Sequence, residues 1–286
     1  MHLLLEPLQL GFVRHALVVC TVAGALCGLL GVYVTLRGMS YIGHGLSHAI
    51  FGGAAVAAAV SVNFFVGAGL WGLASGLAIG RVTKRRIIGS DAAIGVITTA
   101  SFAFGIALLG LYSRVKRSIE ATVFGSVLGV SRGDMLLVVA VAVVTAVIVV
   151  LAYRSLLFTT FDPEVAEVSG VDVGRVDALL MLLLSFAILA SMKVLGVTLI
   201  AAALVVPAVV ARMLTNSFAT MLWLSSLIGA LSGLVGMYLS YHLDVSSGAT
   251  IVLVGFILFA VVFAATGGRG LRRVAGLDDH SRVLPG

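Results

Sequence analysis

Charge is what this chain lacks most. Only 10% of its 286 residues are Asp, Glu, Lys or Arg, against ~25% in a soluble domain. Hydrophobic residues make up 60%, more apolar surface than a water-soluble domain of this length can bury. Disorder is excluded too, because it needs low hydrophobicity and high net charge. Cysteine is nearly absent. Cys20 and Cys27 lie in one apolar run, spaced too far along a helix for a disulfide, so they read as small hydrophobes. Proline occurs four times, at Pro7, Pro163, Pro207 and Pro285, and no Pro-rich linker divides the chain. There is no phosphate loop of the GxxxxGK(S/T) type, no nucleophile elbow and no HExxH. Nor is any soluble stretch long enough to hold catalysis. The chain is therefore expected to be no enzyme, and an ATPase driving it must be another polypeptide.

What is present is a series of long apolar runs. They are continuous and about twice the ~10 residues of a barrel strand, so they read as helices. Nine candidate spans follow: 16–36, 41–61, 64–80, 91–111, 134–153, 176–195, 197–213, 220–241 and 248–266. The expected fold is all-α, one polytopic membrane domain over 1–286 with a basic tail at 267–286. The segment 112–133 mixes charges with a weak apolar stretch and reads as re-entrant or interfacial. Placing the Arg81, Lys84, Arg85 and Arg86 loop inside puts twelve of the 18 Lys and Arg on the cytoplasmic side. By the positive-inside rule the N-terminus is then outside and the C-terminus inside. The first residues lack a basic region and a cleavage site, so no removable signal peptide is expected. The net charge of +6 sits in loops and tail and suggests no nucleic-acid partner. Glycine, at 34 residues, suits close helix packing.

Ionisable groups at membrane depth need a reason. His44 and His48 are four apart, so on a helix both imidazoles leave one face, one turn apart, a spacing at which two rings can share a metal ion. The other reading is two neutral rings hydrogen-bonded to neighbouring helices. Gly45, Ala49, Gly53 and Ala57 form a small-residue stripe that places this helix centrally in a bundle. Asp91 and Asp134 each open a span and read as N-terminal helix charges, Asp91 being also a candidate, with His242 and Asp244, for the path or its gate. Lys193 lies near an outer boundary and reads as snorkelling. His242 and Asp244 share a short outer loop, either receiving a cation or forming a solvated turn. The loop 154–175 is long and acidic. Asp162 and Pro163 read as an N-cap followed by Pro at the first helical position. Glu164 and Glu167 favour the first turn, and the helix is expected over 163–168, ending near Gly170. Behind the apolar Phe161, it reads as a docking element or as a merely solvated loop.

Three segments then resemble a known family in order along the chain. LRGMSYIGHGLSHAIFGGAA is similar to the second-helix signature of the permease subunits of bacterial ABC importers for zinc, manganese and iron, the ABC-3 type. SDAAIGVITTASFAFGIALLG looks like their fourth-helix region. FDPEVAEVSGVDVGRVDALLMLLLSFAIL with KVLGVTLIAAALVVPAVVARML is similar to their longest motif. The resemblance spans residues 12 to 265. It implies a vitamin-importer-like (type II) fold in the bacterial plasma membrane, working as a dimer with two cytoplasmic ABC ATPases and an extracytoplasmic metal-binding protein. It implies that His44 and His48 line the metal path, with His44 standing where the family usually has Asp. It also implies that the 161–170 segment, including Phe161, Asp162, Pro163, Glu164 and Gly170, is the helix that couples to the ATPase.

The expected function is import of a divalent transition metal, zinc before manganese, because imidazole in place of carboxylate favours Zn²⁺ over the harder Mn²⁺. No cofactor is expected to reside in the chain; the metal is cargo and ATP belongs to the partner. A permease for an iron complex or another chelate is the alternative, together with a proton-driven carrier. The carrier would call for more intramembrane carboxylates than this chain has. A haem protein is disfavoured, since ligands four apart on one helix cannot reach opposite haem faces.

Overall fold

The computed structural model describes residues 11–59, 62–84, 89–112 and 130–280. Among them every regular element is a helix: α1 Gly11–Leu36, α2 Ile42–Ala59, α3 Phe64–Lys84, α4 Ser90–Tyr112, α5 Arg132–Leu151, α6 Tyr153–Phe161, α7 Pro163–Val168, α8 Val173–Leu195, α9 Ile200–Leu214, α10 Phe218–Leu243 and α11 Ser247–His280. Each expected span falls on one of these helices. Among the described residues, six helices are long and apolar enough to cross by length and composition alone, α1, α3, α5, α8, α10 and the Ser247–Thr266 part of α11, which does not by itself confirm nine crossings. The 15-residue α9 is only about 22 Å long, short of the ~30 Å hydrocarbon core. The re-entrant segment expected at 112–133 lies, over 113–129, outside the described residues, as do Arg85 and Arg86. The tail expected from 267 does not start at a helix end, because α11 runs on to His280.

Burial sorts the helices. The apolar windows of α1 and α8 are each 72% buried, whereas those of α5 and α11 are 17% and 22% buried. Thus α1 and α8 are the interior of the bundle, and α5 and α11 are its rim. Glycine brings α1 and α10 together. A Cβ on Gly24 would run into the carbonyl of Gly229, one on Gly28 into that of Ser225, and one on Gly233 into that of Cys20. Ser225 Oγ donates to Gly28 O at 2.6 Å across this seam. Both cysteines are fully buried in it or beside it. Pro207 lies inside α9, where it cannot donate to the carbonyl one turn back.

Two ion pairs mark the opposite ends of α8. Arg37 meets Asp177 at 2.6 Å near its start, and Lys193 meets Asp134 at 2.8 Å near its end, about 24 Å along the helix. Asp134 is also the return partner in a capping box. Ser131 Oγ accepts from the Asp134 N–H at 3.2 Å, and Asp134 Oδ2 accepts from the Ser131 N–H at 2.9 Å. Asp134 thus opens α5 as read from sequence, and Lys193 adds what the sequence did not announce: it closes on this capping carboxylate 59 residues away. Lys193 is 47% exposed, so solvent screens the pair. A double-mutant cycle of Asp134→Asn and Lys193→Met should return a coupling of about 0.2–1 kcal/mol in thermal unfolding; no coupling would mean that the two groups do not act as a pair.

Candidate functional site

The chain reverses between α1 and α2 through a tight cap. Met39 N–H donates to Val34 O at 2.9 Å and Gly38 N–H to Thr35 O at 3.3 Å, with Gly38 at φ +66°. This is a Schellman motif, which needs a left-handed residue at that position. Helix α2 then starts at Ile42, so His44 and His48 occupy its first two turns. Their ring centroids lie 4.4 Å apart, edge to face at 75°. Tyr41 flanks His44 at 5.6 Å, and Phe102 of α4 walls His48 at 4.9 Å.

Both histidines are half-buried. His48 Nδ1 is buried and makes no hydrogen bond among the described residues. A structural histidine would satisfy that atom, since buried polar groups are nearly always paired. An unpaired ring nitrogen beside a second imidazole is what a passing cation would use in the tautomer that leaves its lone pair free.

Neighbouring elements lock the helix in place. Ser47 Oγ donates to Val197 O at 2.8 Å, pinning α2 to the α8–α9 junction. A Cβ on Gly45 would strike Ile94 and Thr98 of α4, and one on Gly53 would strike Trp71 of α3. The small stripe is therefore the contact face that holds α2 among α3 and α4.

Among the described residues no group of three or more His, Cys, Asp or Glu comes together, so the histidine pair has no third such ligand beside it there. The structure does not add His242 or Asp244 to it. Those residues sit at the α10–α11 turn, where His242 Nδ1 lies 3.0 Å from Tyr238 O and Asp244 adopts φ 52° as the left-handed cap of α10. Asp91 lies in the first turn of α4, and its side chain is outside the described residues.

The second candidate site is α7. Asp162 caps it, accepting from the Val165 N–H at 3.0 Å, with Pro163 in the first turn. A second Schellman motif ends it. Gly170 (φ +84°) donates to Glu167 O, and Val171 donates to Ala166 O, both at 3.0 Å. Phe161, Val165 and Val168 remain exposed, which gives this turn an apolar outer face. Glu164 is exposed beside them.

The profile of the ABC 3 transport family matches residues 9–266. The chain belongs to that family. It is 38% identical to the manganese transport system membrane protein MntC of Halalkalibacterium halodurans, over 90% of this chain and 88% of that protein. It is 37% identical to MntC of Listeria innocua, over 94% and 96%. A solved chain of PsaBC from Streptococcus pneumoniae, in complex with Fab, matches with a TM-score of 0.82 at 32% identity, covering 91% of this chain and 94% of that one. A chain described as a metal-chelate type ABC transporter in an inward-facing conformation matches with a TM-score of 0.68 at 17% identity and shows a shared fold alone. This ABC 3 chain is accordingly a multi-pass helical membrane protein of the permease kind.

From sequence, Arg37 of this ABC 3 chain reads only as a topology charge. In the structure its guanidinium is a junction of three elements. The partners lie more than 120 residues away along the chain, and nothing in local spacing announces them. The contact of Phe161 with Phe218, rings 5.7 Å apart at 77°, was hidden for the same reason.

Proposed function

We propose that this chain is the membrane permease subunit of an ATP-driven importer of divalent transition metal, and that the ion passes the His44–His48 pair. The observation that carries this reading is the unpartnered, buried His48 Nδ1 beside the His44 ring, in a chain of the ABC 3 transport family. Two imidazoles leave a four-coordinate ion half satisfied. A second copy presenting the same pair across a two-fold axis completes the set, in the way an isologous interface repeats every contact. Two cytoplasmic ATPases supply the energy and an extracytoplasmic binding protein delivers the ion. If the nine crossings and outside N-terminus expected from sequence hold, α7 and Arg37 lie on the cytoplasmic side and Lys193 outside. Transit requires weak holding, since an ion bound too tightly does not leave.

Manganese stands first as cargo, because the similar proteins from Halalkalibacterium and Listeria are named for manganese transport. The zinc preference expected from sequence has no support in those names. It survives as a second reading on one observation, that imidazole stands at position 44 and favours softer ions. Metal-starved cells lacking their own importers, expressing this chain with its ATPase and binding protein, separate the readings. Manganese accumulation with zinc competing weakly supports the first. Zinc accumulation that turns towards manganese in His44→Asp supports the second. Accumulation of neither metal would overturn the proposal.

On this reading α7 docks on the ATPase through its apolar outer face. Asp162→Ala removes the cap, at about 1 kcal/mol of helix stability, and Phe161→Ala removes an exposed aromatic ring. Each variant should reduce ATPase co-purification and uptake together. Undiminished recovery of ATPase with both variants would exclude α7 as the docking element.

A further inference from the structure

Arg37 is the C-terminal cap of α1, with a side chain only 10% exposed. Its guanidinium divides among two other helices. Nη1 donates to Asp177 Oδ1 of α8 at 2.6 Å, Nη2 to Thr159 Oγ1 at 2.8 Å and Nε to Thr160 Oγ1 at 3.2 Å, both threonines lying in α6. Neither hydroxyl is free to turn away. Thr159 Oγ1 donates to Ser155 O at 2.9 Å and Thr160 Oγ1 to Leu156 O at 2.6 Å, so each has only lone pairs left for the arginine. A planar fork fits such fixed acceptors and a flexible ammonium does not.

The position along the chain matters as much. Thr160 directly precedes Phe161 and Asp162, which lead into α7. Arg37 is followed by Gly38, and six residues separate it from His44. A Cβ on Gly38 would meet nothing within 4 Å, so the glycine is there for its backbone angle and not for space. An aromatic contact runs parallel to the polar one. Phe218 holds Phe161 at 5.7 Å and Tyr33 at 5.6 Å, and Tyr33 is one turn before Arg37. Asp177 has an open side as well: it lines a cavity of about 240 Å³ together with Arg81 of α3, a second cation within the same region.

We propose that Arg37 is the positioning residue that clamps the coupling segment to the reversal leading into α2, so that displacement of α7 is carried to the His44–His48 pair. The proposal rests on the permease reading above. Without the clamp, α7 still docks and ATP is still hydrolysed, but the movement no longer reaches the histidines. The junction supplies the physical continuity between α7 and α2, and the coupled movement itself is what the experiment below reads.

The test measures ATP hydrolysis and manganese uptake in the same proteoliposomes, holding the whole complex with wild type, Arg37→Gln, Arg37→Lys or Asp177→Asn. Arg37→Gln should lower ions moved per ATP by about tenfold, within the usual range of coupling between sites, with hydrolysis little changed. Asp177→Asn should lower the ratio less, and Arg37→Lys should recover part of it, since charge returns without the fork. A wild-type ratio in Arg37→Gln would overturn the proposal, as would uptake and hydrolysis falling by one common factor. If Arg37→Gln does not accumulate, the other two variants decide, and wild-type ratios in both overturn it. Wild type that moves neither manganese nor, offered in its place, zinc with ATP overturns the permease reading itself, an outcome distinct from failure of the clamp.

Discussion

Alanine at His48 is expected to cut metal uptake roughly 10- to 100-fold, the scale on which metal sites respond even to losses around their ligands. The chain should still fold and its ATPase should still assemble. The ring is half-buried and leans on Phe102 at 4.9 Å, so its removal takes away modest packing. What it removes from the proposed path is a nitrogen that no other described residue satisfies. In a dimer the loss is doubled, because both copies surrender the same ligand. His48→Gln keeps a polar side chain of similar reach but no imidazole, and should recover little. His44→Ala should follow in direction. The check is uptake of radioactive manganese and zinc at matched expression in metal-starved cells. Wild-type uptake of both metals in both alanine variants would remove the pair from the path.

A branched residue at Gly24 is expected to be strongly damaging to the fold. The α1–α10 seam has no room for it: a Cβ there runs into the carbonyl of Gly229, and a Cβ on Gly229 runs into that of Gly24. Both obstacles are backbone, so no side chain can swing aside. The helices must separate, and the 2.6 Å bond from Ser225 Oγ to Gly28 O must stretch with them. Overpacking of a tight core costs about 1–3 kcal/mol, occasionally more, and Gly24→Val lies at the upper end because α1 is the interior of the bundle. Reduced recovery of monodisperse protein in detergent and an earlier thermal transition are the readouts. The same substitution at Gly80 or Gly95, where a Cβ meets nothing within 4 Å, should be mild. Equal tolerance at Gly24 and Gly95 would mean that the seam is not close-packed.

Features written locally were legible before the fold was known. The i,i+4 spacing puts the His44 and His48 rings on one face, and they stand 4.4 Å apart. Capping chemistry acts within a few residues, so Asp162, Pro163 and Gly170 bracket α7 where their types require it. Hydrophobic length located the helices, but it could not tell crossing from packing. Helix α9 is apolar and too short to span alone. Contacts distant along the chain left no trace. Asp134 reads as a helix-start charge and Lys193 as an interfacial one, and only the packing of α5 on α8 makes them a pair. Arg37 reads as a loop charge, and only the fold brings it to Thr159, Thr160 and Asp177. The choice of metal is the least legible of all. Donor type at position 44 leans towards zinc, while the similar proteins from Halalkalibacterium and Listeria are named for manganese.

The most direct test of the proposed function is manganese accumulation in sealed proteoliposomes holding this chain with its ATPase and binding protein. The account predicts accumulation against a gradient that starts on addition of ATP, stops with a non-hydrolysable analogue and is indifferent to collapse of the proton gradient. Accumulation that proceeds without ATP, or that follows the proton gradient, would contradict it.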